Sequence, residues 1–335
     1  MRSVIIFIPT LITGGAEKLV VDLVVNIDKE IFDVSVAVVS GIIPKGFAPN
    51  KFVFTLEENN IKIFNLLGKN KLETAKNIRK LFSEKRPDII HTNLNTILYV
   101  MFFSAFYATQ TRIFTFHNVA SLSARGLKKQ LYKFAFKRLN FTPVAICDFV
   151  KSTISKDFNI PLKKIPCIYN GVDTKAFYPK TRSFENRTVQ FISTGILYHI
   201  KNHKLLIDAF AKAELRHPDI YLNILGDGEL REELERQITE YGLEDKINIL
   251  GVTDDVARYL NMADIYVMSS NSEGLPLSIL EAMACGLPII TTEAGGVVDI
   301  VKNGENGFIT PIGDVESLSR AMIELIENNK LRKAM

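Results

Sequence analysis

Short, nearly unbroken apolar runs recur along this chain, separated by longer segments in which apolar positions return every three or four residues. The first pattern predicts strands buried on both faces, and the second predicts amphipathic helices. In the first half, strands are predicted at 4–8, 33–39, 61–65, 88–91, 112–116, 144–146 and 165–169. Helices are predicted there at 16–27, 72–84, 96–108 and 127–139. The second half repeats the theme, with strands at 189–194, 220–225, 247–250, 265–268 and 288–291. Its helices fall at 204–216, 229–241, 255–261, 277–285 and 315–327. This alternation predicts an α/β chain with mostly parallel sheets covered by helices on both faces. The polar stretch 170–187, which carries Pro179, reads as a linker between a domain at 1–169 and a second at 188–335. Together they predict two Rossmann-like domains facing a central cleft, with ligands bound outside the carboxyl ends of the strands.

Composition adds little to that picture until charge is considered. A chain of 335 residues, 47% apolar and 23% charged, is ordinary globular protein with room for two cores. Three cysteines, Cys147, Cys167 and Cys285, give neither a disulfide framework nor a paired zinc motif. The apolar run at 4–9 is too short for a signal peptide, and the run at 97–108 is about half a membrane span, so it reads as a buried helix. A reducing cytoplasm is the expected compartment. The net charge of +4, however, hides an asymmetry: residues 1–168 hold 24 Lys and Arg against 12 Asp and Glu, and the remainder holds 17 against 25. No acidic residue occurs from Ile89 to Cys147. Arg125, Lys129, Lys133 and Lys137 form an i, i+4 stripe on one predicted helix, with Leu127, Leu131 and Ala135 on the opposite side. Such a helix is either a solvated surface or a face for an anionic membrane, and the missing acids favour the membrane. The expected location is therefore peripheral, at the inner face of the cell membrane, with no nucleic acid as partner.

The segment Glu273-Gly274-Leu275-Pro276-Leu277-Ser278-Ile279-Leu280-Glu281 carries the most chemistry. It places one carboxylate after a predicted buried strand and another one to two turns into the next helix. Carboxylates accept from sugar and ribose hydroxyls, and the N–H groups of residues 274–278 at a helix N-terminus can hold a diphosphate without a metal. A solvated loop Glu and a surface helix Glu would show the same spacing. Gly14-Gly15 follows a strand and opens a helix; it fits either a tight turn or a wall close to phosphates. It is not a dinucleotide or Walker loop. His117 ends a predicted strand, either as a structural residue or as a neutral partner for a hydroxyl. His199 and His203 are four apart but lack a third ligand, so no metal site is expected, and Asp254-Asp255 reads as a helix cap.

The carboxylate segment resembles the Glu-x7-Glu motif of GT-B glycosyltransferases, in particular the retaining family 4, also called glycosyl transferases group 1. Asn170-Gly171-Val172-Asp173, Gly226-Asp227-Gly228, Gly286-Leu287-Pro288, Gly295-Gly296 and Gly14-Gly15-Ala16-Glu17 fit the same family. The resemblance implies a hexosyltransferase that moves a sugar from a nucleotide-diphosphate sugar to a glycan or lipid-linked acceptor of polysaccharide assembly, with retention and without a cofactor or metal. It implies donor binding by Gly15, Gly195, Lys201, Glu273, Gly274, Leu275, Pro276, Leu277, Ser278 and Glu281. Glu273, His117 and Lys201 become the catalytic set, with Glu281 on the ribose and Lys201 on the diphosphate. Relatives usually read Gly-Arg-Leu where this chain has Gly195-Ile196-Leu197, so one expected cation is replaced by Ile196. The family's C-terminal crossover helix would follow Met335. A nucleotide-sugar epimerase on the same fold, and a catalytically weakened sugar-nucleotide-binding partner subunit, are the alternatives.

Overall fold

A computed structural model describes residues 1–12, 14–42, 51–180 and 188–335. The chain divides into two compact units, Met1–Asn170 and Gly171–Met335. Within the polar stretch expected as a linker, residues 181–187 lie outside the described residues.

The first unit runs β1 (Arg2–Ile8), α1 (Gly15–Asn26), β2 (Phe32–Val38), α2 (Lys51–Glu58), β3 (Lys62–Asn65), α3 (Lys71–Lys85), β4 (Ile89–Asn93), α4 (Ile97–Phe106), β5 (Thr111–Phe116), α5 (Ala120–Ser123), α6 (Gly126–Arg138), β6 (Phe141–Ala145) and α7 (Asp148–Phe158). The second runs β7 (Val189–Thr194), α8 (His203–Glu214), β8 (Ile220–Leu225), α9 (Arg231–Glu240), β9 (Ile247–Gly251), α10 (Val256–Met262), β10 (Ile265–Met268), α11 (Leu277–Ala284), β11 (Ile289–Thr292), β12 (Gly307–Thr310), α12 (Val315–Glu327) and α13 (Asn329–Ala334).

Each unit holds one six-stranded sheet, ordered β3-β2-β1-β4-β5-β6 in the first and β12-β11-β10-β7-β8-β9 in the second. Every strand pair is parallel, so both sheets are the doubly wound kind expected from the alternating pattern. The two orders are the same topology read from opposite ends, and each reverses direction once, between β1 and β4 and between β7 and β10. Alternating residues of one strand feed opposite cores. Phe191 and Val267 pack with Phe210 of α8 and Leu318 of α12, while Ile192, Tyr266 and Met268 pack with Ile279 of α11. In the first unit Val4, Ile6 and Ile8 pack against α1, and Phe7 stacks on Phe82 of α3 from the other side.

Several expectations are corrected. Residues 165–169 form no strand, only an isolated bridge from Cys167 to Ala145, because the β6 edge is met there by a single residue. Helices α2, α5, α7 and α13 and strand β12 go unpredicted; the N-cap residue of α7 is Cys147, whose Sγ accepts from Val150 N at 3.5 Å and is a weak helix signal. Helix α4 is buried on one side only, through Ile97, Val100, Met101 and Ser104, while Tyr99, Phe102 and Phe106 face outward. In α6 the buried face is Tyr132, Ala135 and Phe136; Leu127 is exposed, and Lys129 is ion-paired with Asp157.

Candidate active site

In the second unit the topology puts the motif residues at the point where strand order reverses. β10 pairs with β7 only through Ile265↔Phe191 and Tyr266↔Ile192, so the segments beyond these pairs diverge at the carboxyl edge. The loops that follow the two strands are stitched together there. Ser269 Oγ donates to the carbonyls of Lys201 (3.0 Å) and Asn202 (2.9 Å). Asn271 N donates to Ile200 O at 2.8 Å.

Glu273 sits on the second of these loops and is only 9% exposed. A carboxylate so buried requires compensating charge and donors. Lys201 Nζ supplies the charge at 2.7 Å from Oε1, and Ser270 Oγ donates to the same oxygen at 2.7 Å. Oε2 accepts no hydrogen bond from the described residues. The loop is held from behind by its backbone. Thr292 Oγ1 donates to Ser270 O at 2.5 Å, and Gly296 N donates to Gly274 O at 2.8 Å. Gly295, at φ +69°, approaches so closely that a Cβ there would stand 1.9 Å from Glu273 O. Only glycine satisfies both that conformation and that distance.

A second close approach fixes the Lys201 side. A Cβ on Gly226 would lie 1.9 Å from Gly195 O, and Leu197 N donates to Asp227 O at 3.0 Å. The β8 loop therefore clamps Gly195-Ile196-Leu197, and the Lys201 chain runs alongside Gly195, with Cε 3.5 Å from where its Cβ would be. Ile196, at the position where the resemblance implied a cation, projects from this loop 48% exposed.

Helix α11 opens at Leu277, with Pro276 as its N-cap residue and no side-chain cap. Pro276 has no N–H, so the expected row of donors over 274–278 is one short. Glu281 is the fifth residue of this helix and is buried on its inner side. The Tyr266 hydroxyl on β10 lies within the fields of both carboxylates. Burial pushes its pKa up to about 12; hydrogen bonds to Ser278 and Thr194 oppose the rise, and the negative charges of Glu281 and Glu273 add to it. Glu273, Glu281, Lys201, Ser278 and Gly195 are thus brought to one edge of the sheet. His199 precedes α8, whereas His203 is its first residue and is buried, so the two do not share a helical face. Asp255 caps α10, accepting from Arg258 N at 3.3 Å.

The first unit gathers a different chemistry at its own reversal point. Gly14 is the N-cap residue of α1 and Gly15 its first residue. The Glu17 carboxylate folds back over this turn, with Oε2 2.4 Å from where a Gly14 Cβ would sit. Burial raises its pKa, against the pull of its own backbone N–H and of Thr10. His117, just past β5, has Nε2 2.8 Å from Asn93 Oδ1 at the end of β4. Asn93 Nδ2 donates to Phe7 O at 3.2 Å, so Oδ1 is the atom that faces the imidazole. A carbonyl oxygen only accepts; Nε2 therefore carries the hydrogen, and Nδ1 keeps its lone pair. Burial lowers the His117 pKa to about 3, helped by nearby His91, so the ring is neutral at ordinary pH. His91 is itself lowered to about 4 by burial and bonds Thr115 Oγ1 at 2.7 Å.

The residues that sequence reasoning passed over are Asn93, Ser270 and Tyr266. Tyr266 leaves a legible signal: a tyrosine inside an otherwise aliphatic strand must find a partner for its hydroxyl. Asn93 and Ser270 leave none, since their roles depend on which strand ends the sheet order makes neighbours.

Residues 13–176 match the Glycosyltransferase Family 4 model and residues 175–335 match the model for Glycosyl transferases group 1. An uncharacterized glycosyltransferase of Haemophilus influenzae is 28% identical over 335 residues, spanning 95% of this chain and 88% of its own. The UDP-Gal:alpha-D-GlcNAc-diphosphoundecaprenol alpha-1,3-galactosyltransferase of Escherichia coli is 28% identical over 272 residues, 75% of this chain and 70% of the relative. Among solved structures, Anabaena Alr3699/HepE in complex with UDP and glucose superposes with a TM-score of 0.85 at 20% identity, covering 100% of this chain and 92% of that one. The two matched regions together with the paired doubly wound sheets identify the chain as a glycosyltransferase of the GT-B fold, built from a Family 4 unit followed by a group 1 unit.

Proposed function

We propose that this glycosyltransferase moves the sugar of a UDP-sugar, with retention of configuration, onto a hydroxyl of a lipid-linked or cell-surface polysaccharide precursor. The carrying observation is the pairing of the half-buried Lys201 with the buried Glu273 beside the N-terminus of α11, with Glu281 on the same helix. In this reading Glu281 accepts from the ribose hydroxyls, Glu273 Oε2 accepts from the transferred sugar, and Lys201 with the N–H groups near Leu277 and Ser278 holds the diphosphate. Gly195 lets the donor approach the backbone, and Gly15 and His117 serve the first unit's share of the reaction. The HepE complex with UDP and glucose supports uracil as the base, and the diphosphoundecaprenol acceptor in the Escherichia coli relative's name supports a lipid-linked acceptor.

The chemistry follows from the charges. The bond between the anomeric carbon and the diphosphate oxygen breaks, and its electron pair stays on the diphosphate, where Lys201 and the helix N-terminus stabilise it. The acceptor oxygen bonds to the same face of the sugar, and its proton passes to the departing phosphate oxygen. No protein carboxylate is needed as a covalent nucleophile, and the positive charge comes from the protein rather than from a metal. In this reading the basic first unit also meets an anionic membrane at its cytoplasmic face, where it takes up a lipid-linked acceptor.

Thermal stabilisation by UDP-, GDP- and ADP-sugars, compared between wild type and Glu281→Ala, tests the reading. A ligand that binds only the native state raises the midpoint. A shift with UDP-sugars that disappears in the variant is expected. A shift equal in wild type and variant, or none with any sugar nucleotide, overturns the assignment.

A further inference from the structure

We infer that the outward faces of α4 and α6 form the surface on which this chain rests on an anionic bilayer, with aromatic side chains entering the interface. The inference rests on the membrane part of the proposed function and assigns it to a specific face.

Helix α4 carries no charged residue along its length. Tyr99, Phe102 and Phe106 stand at i, i+3 and i+7, so they share one side of the helix. Phe102 is 56% exposed and Phe106 is 78% exposed. Beside it packs α6, whose Phe134 ring lies 6.2 Å from that of Phe102. Leu127, 76% exposed, shares the Phe134 side of α6 two turns earlier. The guanidinium of Arg112 ties the ends of the two helices together, donating to Ser104 O (3.0 Å) and Leu139 O (3.1 Å). The ridge is therefore one surface of two joined helices rather than a set of scattered side chains. Large aromatic rings held outward on a charge-free helix are costly in water and favourable in a headgroup layer.

Charge selects the occupant. Lys137 and Arg138 follow Phe134 by about one turn, Lys128 adjoins Leu127, and Lys133 precedes Phe134. No Asp or Glu occurs from Ile89 to Cys147, so nothing acidic interrupts this face along the chain. A second copy seated on it about a two-fold axis would set like charges against each other. An anionic lipid surface complements the lysines and takes up the rings at the same time. The face keeps Lys133 and Lys137 of the i, i+4 basic stripe of α6 but not Lys129, which Asp157 engages, and its apolar contribution comes mainly from α4.

The test is co-sedimentation of the full chain with vesicles of equal parts phosphatidylcholine and phosphatidylglycerol, run for wild type, Phe102→Ser/Phe106→Ser and Lys137→Glu/Arg138→Glu. Stabilisation by UDP is recorded for each protein as a separate check on folding and on donor binding. Burial of one phenylalanine is worth roughly a tenfold change in partition or more, so the aromatic variant should lose at least about a hundredfold if both rings insert. The charge variant should lose binding on anionic vesicles, and wild type should bind weakly to pure phosphatidylcholine. Equal vesicle binding by wild type and the aromatic variant overturns the assigned face but leaves the membrane reading standing. Failure of wild type to bind any vesicle overturns both, and a UDP shift in the same samples leaves the sugar-transfer reading intact. Light scattering that shows a wild-type dimer converted to monomer by the aromatic variant, without vesicle binding, assigns the face to a second copy and overturns the inference.

Discussion

The two units share one topology and do different chemistry with it. Both sheets run in the same doubly wound order, and both gather their distinctive residues where that order reverses. At the β7–β10 reversal the assembled groups are ionic: a lysine paired with a buried glutamate, and a second glutamate near a buried tyrosine. At the β1–β4 reversal two neutral histidines gather, one an imidazole held by an amide and the other bonded to a threonine, near a carboxyl whose pKa burial raises. The topology supplies a place, and side chains at strand ends supply the chemistry. In the proposed reaction the ionic unit stabilises a leaving diphosphate.

The sharpest way to break this contrast is to remove the cation. Lys201→Met keeps most of the side chain's length but leaves the buried Glu273 without its cationic partner. Turnover should fall by about a hundredfold to a thousandfold, the usual consequence of deleting a charge that stabilises a transition state. Steady-state kinetics with a UDP-sugar checks this, and unchanged turnover would remove Lys201 from the site. Glu281→Ala should act more on binding than on chemistry. Loss of a charge-assisted hydrogen bond costs about 1.5–3 kcal/mol, so KM should rise by roughly tenfold to a hundredfold with kcat nearly constant.

How much of this contrast the sequence discloses depends on the kind of information each feature needs. The alternating apolar runs disclose both sheets, because parallel strands are buried on both faces and helices on one. Strand β12 escapes because Gly307-Phe308-Ile309-Thr310 is short and half polar. The Glu273–Glu281 segment is legible because both residues lie on one local stretch. The Lys201–Glu273 contact joins residues 72 apart in sequence and is set by sheet order, so only the fold reveals it. The exposed aromatic side of α4 is illegible for a similar reason: a uniformly apolar run carries no periodicity to say which side the core will cover. Charge is the exception, since a stretch without acids remains so in any fold.

A gain of function probes the same edge more gently. Ile196→Arg introduces the cation that the sequence resemblance led one to expect, on a loop already held by the Gly226 clamp and at a position half exposed to solvent. Donor affinity should improve by about tenfold, the worth of one charge-assisted bond at a partly exposed site. Titration calorimetry with UDP reads it directly. No gain would mean that the diphosphate does not pass this loop, which would weaken the donor assignment of Gly195 as well.

The smallest expected change in rate falls in the neutral unit, where it is also the most diagnostic. Asn93→Asp is nearly isosteric but sets a carboxylate against His117 Nε2. The native ring has a pKa near 3, below its value of about 6.5 in an unfolded chain. A histidine lowered in this way adds stability that is complete above the unfolded pKa and is lost as pH falls from about 6.5 towards 3. Wild-type turnover should therefore show no His117 limb between about pH 5 and 8. In the variant the new negative charge favours imidazolium, raises the pKa and brings such a limb into that window. The native fold should then keep its stability further into acid than wild type does. At the upper end of the window, where the ring is again neutral, turnover should recover to within a few-fold of wild type, because the hydrogen bond and the tautomer are retained. Nitrogen chemical shifts of His117 report the tautomer independently, and Nε2–H should be found in both proteins at neutral to alkaline pH. Should the wild-type ring instead carry its hydrogen on Nδ1, Asn93 would not be orienting it, and the neutral unit would owe its character to burial alone.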